Sequence, residues 1–129
     1  MAVSVKVVDA SALGALLFGE PDGERIAARL EGTSLVAPSL LPFEVANVCL
    51  TKIRHHPDLR DGLVNAFGLL ERMEIVEVEI DHAEALLLAE KAVLTVYDAS
   101  YLWLAETLGA ELVTLDTRLE AAQATRQRS

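Results

Sequence analysis

At 129 residues, 52% of them hydrophobic and only 5% aromatic, the chain has the size of one domain built on an aliphatic core, with no apolar run long enough to span a bilayer. Its net charge of −9 excludes a protein that grips nucleic acid by a broad basic face, so phosphates would need another source of neutralisation, such as a bound cation. The single cysteine, Cys49, excludes an internal disulfide and, flanked by Val48 and Leu50, reads as a buried inert thiol.

Met1 to Lys6 move straight into a strand without the charged-then-apolar pattern of a signal peptide, so a soluble cytoplasmic protein is expected. Val3 to Val8 is β-branched and is predicted to be the first strand, ended by Asp9. Ser11 is placed to cap a helix with Leu13, Leu16 and Leu17 on its apolar side, broken at Phe18-Gly19-Glu20-Pro21. A second helix is expected from Asp22 to Leu30, with Ile26, Ala27 and Leu30 inward, before a short strand at Leu35-Val36-Ala37. Pro42 suits the first turn of a third helix, and Glu44 falls in that turn, where the helix dipole favours an anion. Phe43, Ala46, Val48, Leu50 and Ile53 are its expected buried side, with Asn47 on the same face as Glu44.

A fourth helix is predicted over Leu59 to Met73 through Leu63, Val64, Phe67 and Leu70. Ile75 to Ile80 alternates like a strand with one wet face, which places it toward a sheet edge. Asp81-His82-Ala83-Glu84 reads as a capping box opening a fifth helix through Ala92. A sixth helix should start at Asp98, turn Tyr101, Leu102, Leu104, Ala105 and Leu108 inward, and stop before Gly109. Leu112 to Leu115 follows as a short apolar strand ending on Asp116. The polar stretch after Leu119 permits a terminal helix but is expected to fray from about residue 120. Strands alternating with helices, without repeats or linkers, predict one domain over residues 1–129: a three-layer α/β/α fold on a central, mainly parallel sheet of four to five strands.

In a parallel sheet every strand's carboxyl end lies on one rim, and the helices that follow start there. Asp9, Glu44, Asp98 and Asp116 all fall at such places. Taken singly, Asp98 reads as a helix N-cap and Asp116 as an Asx-turn residue. Together, such carboxylates repel and desolvate badly without a counter-ion. An oxygen-rich cluster suits Mg²⁺ or Mn²⁺, and such a cation activates water and polarises a phosphate, which is the chemistry of phosphodiester hydrolysis.

The segments V-V-D-A-S-A-L, P-F-E-V-A-N, Y-D-A-S-Y-L-W-L-A and L-V-T-L-D-T-R-L resemble, in order and spacing, the successive motifs of PIN-domain ribonucleases. The resemblance is greatest to the VapC toxins of VapBC toxin–antitoxin pairs, and it covers nearly the whole chain. It implies a Mg²⁺- or Mn²⁺-dependent endoribonuclease, dimeric and restrained by a VapB-like antitoxin. Matched by position, Asp9, Glu44, Asp98 and Asp116 correspond to the family's acidic quartet, with Glu44 acting on the ion directly or through water. Ser11 and Thr114 match small hydroxyl positions beside it, and Asn47 a polar position one turn after the glutamate.

Lys52, Arg54, His55, His56 and Arg60 form a basic cluster that reads first as a solvated helix end. Lys52, Arg54 and Arg118 are nonetheless the candidate RNA contacts. Tyr101 and Trp103 read as core or dimer-interface residues. A degenerate domain that binds RNA or a protein without cutting is the nearest alternative. A phosphoacceptor receiver domain would want a late lysine at a strand end, and the chain has none after Lys91. A haloacid-dehalogenase hydrolase would want a second aspartate two residues after Asp9, where Ser11 stands.

Overall fold

The computed structural model describes residues 3–128. Met1, Ala2 and Ser129, which include the start of the stretch read as lacking a signal pattern and the ends of the expected domain, lie outside the described residues. The strands are β1 (Val5–Val8), β2 (Ser34–Pro38), β3 (Val76–Val78) and β4 (Glu111–Val113). The helices are α1 (Ala10–Leu17), α2 (Gly23–Leu30), α3 (Leu41–His55), α4 (Arg60–Gly68), α5 (His82–Ala92), α6 (Val96–Leu108) and α7 (Thr117–Gln127). Short 3₁₀ turns at Pro57–Leu59 and Leu69–Met73 flank α4, so the single helix expected over 59–73 is split.

The sheet is wholly parallel, in the order β3-β2-β1-β4. It therefore has four strands, with the alternating segment at an edge as expected. β1 lies between β2 and β4, with Val7 and Val8 fully enclosed, as are Leu112 and Val113 beside them. Burying each such side chain contributes roughly 1.5–3 kcal/mol. One outer layer is built by α1 packing on α2 and α3, and α3 on α4. In the other, α6 lies against β1, β2 and β4 and packs on α5 and α7. Gly109, at φ +62, ends α6 in the left-handed conformation, and the Ala110 N–H closes back on Ala105 C=O at 2.9 Å. That tight stop turns the chain directly into β4.

Several inward faces differ from the pattern read in the sequence. The core side of α3 is Leu41, Val45 and Cys49, a strict four-residue spacing, while Phe43 is 82% exposed and Leu50 is also exposed. On α2, Ile26 and Leu30 are buried but Ala27 is not, and on α6 Leu108 is exposed. No residue of α4 is fully buried. Helical periodicity names a stripe, and the sheet decides which part of it is covered. Cys49 is a buried free thiol with its acidity suppressed by burial.

The largest departure is α7. The tail expected to fray is a helix whose Leu119 is fully enclosed and whose Gln123 is buried. The Gln123 side chain accepts from the Leu112 N–H at 3.0 Å and donates to the Leu112 C=O at 3.2 Å. β4 is an edge strand, and its outward backbone groups would otherwise lack partners. One glutamine amide thus stands in for a fifth strand.

Candidate metal centre

Asp9 follows β1 directly. Its N–H donates to Val113 C=O at 3.3 Å, extending the ladder one step past the strand. The backbone then turns into α1 with Asp9 as N-cap, so the cap predicted for Ser11 belongs to Asp9. Asp9 Oδ1 accepts from the Ala12 N–H at 3.1 Å and the Ser11 hydroxyl at 2.7 Å, while Oδ2 accepts from the Thr114 hydroxyl at 2.5 Å. Each hydroxyl is itself oriented by a backbone amide, Leu115 N–H on Ser11 Oγ at 2.8 Å and Asp116 N–H on Thr114 Oγ1 at 3.0 Å. The loop that carries Asp116 is therefore tied through two hydroxyls to the carboxylate of Asp9.

Asp116 caps α7, its Oδ1 accepting from the Arg118 and Leu119 N–H groups at 2.9 and 3.0 Å. This contains the Asx-turn reading and extends it by one donor. Asp98 is not the cap of α6. That role falls to Thr95, whose Oγ1 accepts the Asp98 N–H at 3.1 Å and starts the helix a turn earlier than expected. The Asp98 carboxylate is thereby released from capping. Glu44 lies in the first turn of α3, half-buried, and its Oε1 accepts the Tyr101 hydroxyl at 2.5 Å. Tyr101 is buried in the core, one of its two expected places, and its hydroxyl meets Glu44. Its spacing, three residues after Asp98, was the available signal that it faces the same rim.

The acids destabilise one another. Burial holds the Asp9 carboxyl above the ordinary carboxylate range, opposed by its bonds to Thr114, Ala12 and Ser11, and the charge of Asp116 adds to the rise. Glu44 is raised by burial, opposed by the Tyr101 hydroxyl, and raised further by Asp98 and Asp9. Asp98 is raised by burial and by Asp116, with Thr95 and Arg118 opposing. These influences link Asp9 to Asp116, Asp116 to Asp98, Asp98 to Glu44 and Glu44 to Asp9, a closed ring of like charge.

A stability profile follows from the sign of these shifts. A carboxyl raised in the folded state keeps its proton where the unfolded chain has lost it, so stability grows as pH falls toward the ordinary carboxylate range. Glu111 is shifted the other way, lowered chiefly by Arg29, and its contribution is lost on further acidification. In EDTA, the melting temperature should therefore rise as pH falls from about 7 toward the ordinary carboxylate range and then fall below about 4, near the unfolded carboxylate values. Added Mg²⁺ at pH 7 should reproduce the rise. A melting temperature that does not rise as pH falls toward that range would contradict the burial of these carboxyls, the main cause of their shifts.

The donor chemistry fits a hard divalent cation. All donors are carboxylate oxygens, and Asp9 is held rigidly by outer bonds of the kind that orient metal ligands. Among the described residues, no three His, Cys, Asp or Glu side chains converge closely enough to enclose an ion.

The PIN domain family model matches residues 6–124. The chain belongs to the PIN-domain family. Ribonuclease VapC3 of Pyrobaculum aerophilum is 35% identical over 121 residues, covering 88% of this chain and 90% of that protein. The crystal structure of PAE2754 from Pyrobaculum aerophilum superposes with a TM-score of 0.74 at 29% identity, covering 95% of this chain and 87% of that one.

The remaining candidate residues of this PIN domain divide by position. Arg118 follows Asp116 by two residues at the start of α7, and its positive charge weakly favours the ionised form of Asp98. Lys52 is ion-paired with Glu20 and lies 5.9 Å from the Phe18 ring centre, which ties it to the α1 side of α3. It stands about 12 Å along α3 from Glu44 and Arg54 about 15 Å, at the usual helical rise. Asn47 is exposed, three residues after Glu44 on α3.

Proposed function

We propose that this PIN domain is a Mg²⁺- or Mn²⁺-dependent endoribonuclease, the toxin member of a VapBC-type pair. The observation that carries the reading is Asp9 at the end of β1, buried at 6% exposure with both carboxylate oxygens held by the Ser11 and Thr114 hydroxyls, on the loop side that also carries Asp116. Likeness to Ribonuclease VapC3 supports the substrate class. In this scheme Asp9, Asp98 and Asp116 hold the cation, while Glu44 holds it through water or orients the attacking water. A bound cation would make its water more acidic, lowering its pKa, and would counter charge on the phosphate and the leaving oxygen. Ser11 and Thr114 keep both Asp9 oxygens in fixed directions. Arg118 and Asn47 are the nearer candidates for the scissile strand, and Lys52 and Arg54 the more distant ones.

Because the chain remains acidic even with the four site acids neutralised, RNA affinity should be modest and should depend on the cation. Assembly as a homodimer, with a VapB-like antitoxin covering the acidic rim, completes the proposal; its setting is the cytoplasm, with no membrane attachment. Among the described residues no helix is long and apolar enough to cross a membrane. The open spacing of the acids gives the non-cutting alternative its one supporting observation.

Cleavage of a panel of structured RNAs, with Mg²⁺ or Mn²⁺ and with EDTA, separates the two. The nuclease reading expects cuts only with the cation. Metal-loaded, folded protein that binds RNA across the panel without cutting it would establish the alternative. Tight RNA binding in EDTA at moderate salt would refute the account of charge neutralisation.

A further inference from the structure

Tyr101 is the largest side chain fully enclosed by the protein, at 1% exposure, yet its polar tip does not end in apolar surroundings. Its hydroxyl donates to Glu44 Oε1 at 2.5 Å. A buried tyrosine needs a partner for its O–H, and an ionised carboxylate is the strongest kind available. The partner chosen here is an acid on another helix, 57 positions away in sequence. Asp98 and Tyr101 stand three apart on α6, so they share a helical face. One helix thus supplies one acid of the ring and grips a second, which α3 supplies.

The geometry points to Tyr101 as the positioning residue of Glu44: its hydroxyl fixes the glutamate and occupies Oε1, leaving Oε2 to serve the cation, directly or through a water on it. A glutamate has several free torsions and, half-buried among like charges, would otherwise swing toward solvent. Among the described residues, Oε2 has no protein donor. The bond also opposes the effect of burial and of Asp98 and Asp9 on Glu44. Tyr101 does not touch substrate in this scheme and acts only through Glu44. The assignment rests on the metal-nuclease reading above.

Mn²⁺ binding followed by electron paramagnetic resonance tests it without any need for RNA. Tyr101→Phe keeps the ring and removes only the donor. It should weaken Mn²⁺ binding about tenfold, the lower range for lost outer partners of metal ligands. Tyr101→Phe placed on Glu44→Gln should add nothing to the loss caused by Glu44→Gln alone. Unchanged Mn²⁺ affinity in Tyr101→Phe, or an equal loss in the Glu44→Gln background, would overturn the assignment while leaving the metal site standing. Failure of the wild-type protein to bind Mn²⁺ would overturn the metal reading and this assignment together.

A second measurement leaves Tyr101 in place. With 3-fluorotyrosine incorporated, the chain's two tyrosines give two ¹⁹F resonances, and that of buried Tyr101 should shift on Mg²⁺ addition. The shift should vanish in Glu44→Gln. A Tyr101 resonance unmoved by saturating Mg²⁺ in wild-type protein would count against the coupling.

Discussion

Asp9→Asn should reduce RNA cleavage by more than about 100-fold, beyond the 10- to 100-fold lost when only an outer partner of a ligand is removed, while the domain stays folded. Asparagine has the same shape as aspartate. Its amide oxygen can still accept from the Ala12 N–H and the Ser11 hydroxyl, and its NH₂ can face Thr114 Oγ1. What disappears is the negative charge, and with it part of the repulsion from Asp116. The metal-free variant should therefore melt no lower than wild type, separating loss of chemistry from loss of fold. Asp9→Ala should behave differently. It removes the α1 cap, which costs about 1 kcal/mol, and leaves buried donors unpaired at about 1–3 kcal/mol each. Cleavage rates and melting curves of the two variants, measured side by side, test this. Near-normal cleavage by folded Asp9→Asn would remove Asp9 from the metal site.

Leu119→Ala should destabilise the domain by about 2–5 kcal/mol, the usual cost of emptying a fully packed leucine site, lowering the melting temperature by on the order of 10 °C for a chain of this size. Gln123→Ala should cost about 1–3 kcal/mol, because it strands the outward N–H and C=O of Leu112 on the sheet edge. Deleting residues 117–129 combines both losses and frees Asp116 from the N–H groups of Arg118 and Leu119. It should leave the domain unfolded or aggregated. A tail frayed from about residue 120 would make Gln123→Ala nearly silent, so thermal denaturation decides between the two descriptions. Indifference of the melting temperature to Leu119→Ala would mean α7 does not dock.

Much of the site was legible because its positions are local. A strand ending on Asp9 and another approaching Asp116 are visible as apolar runs stopped by an acid, and parallel topology then places their ends together. Who caps each helix was less legible, since Ser11, Asp9, Thr95 and Asp98 are all good caps and sequence offers no way to choose. The choice matters chemically. Giving the α6 cap to Thr95 leaves the Asp98 carboxylate available to the ring, whereas giving the α1 cap to Asp9 anchors its Oδ1.

The sequence by itself determined the alternation of strands and helices and the parallel sheet that follows from it, because hydrophobic period and chain order fix these without reference to distant contacts. Only the tertiary structure decided that the polar tail is a docked helix. Its polarity argued for solvent, but at the β4 edge the Gln123 amide bonds the Leu112 backbone groups and Leu119 is fully enclosed. Likewise, only the tertiary structure turned Tyr101 from a core aromatic into the partner of Glu44. That bond joins two helices far apart in sequence, and no local pattern encodes a contact whose two ends meet only after the sheet has formed.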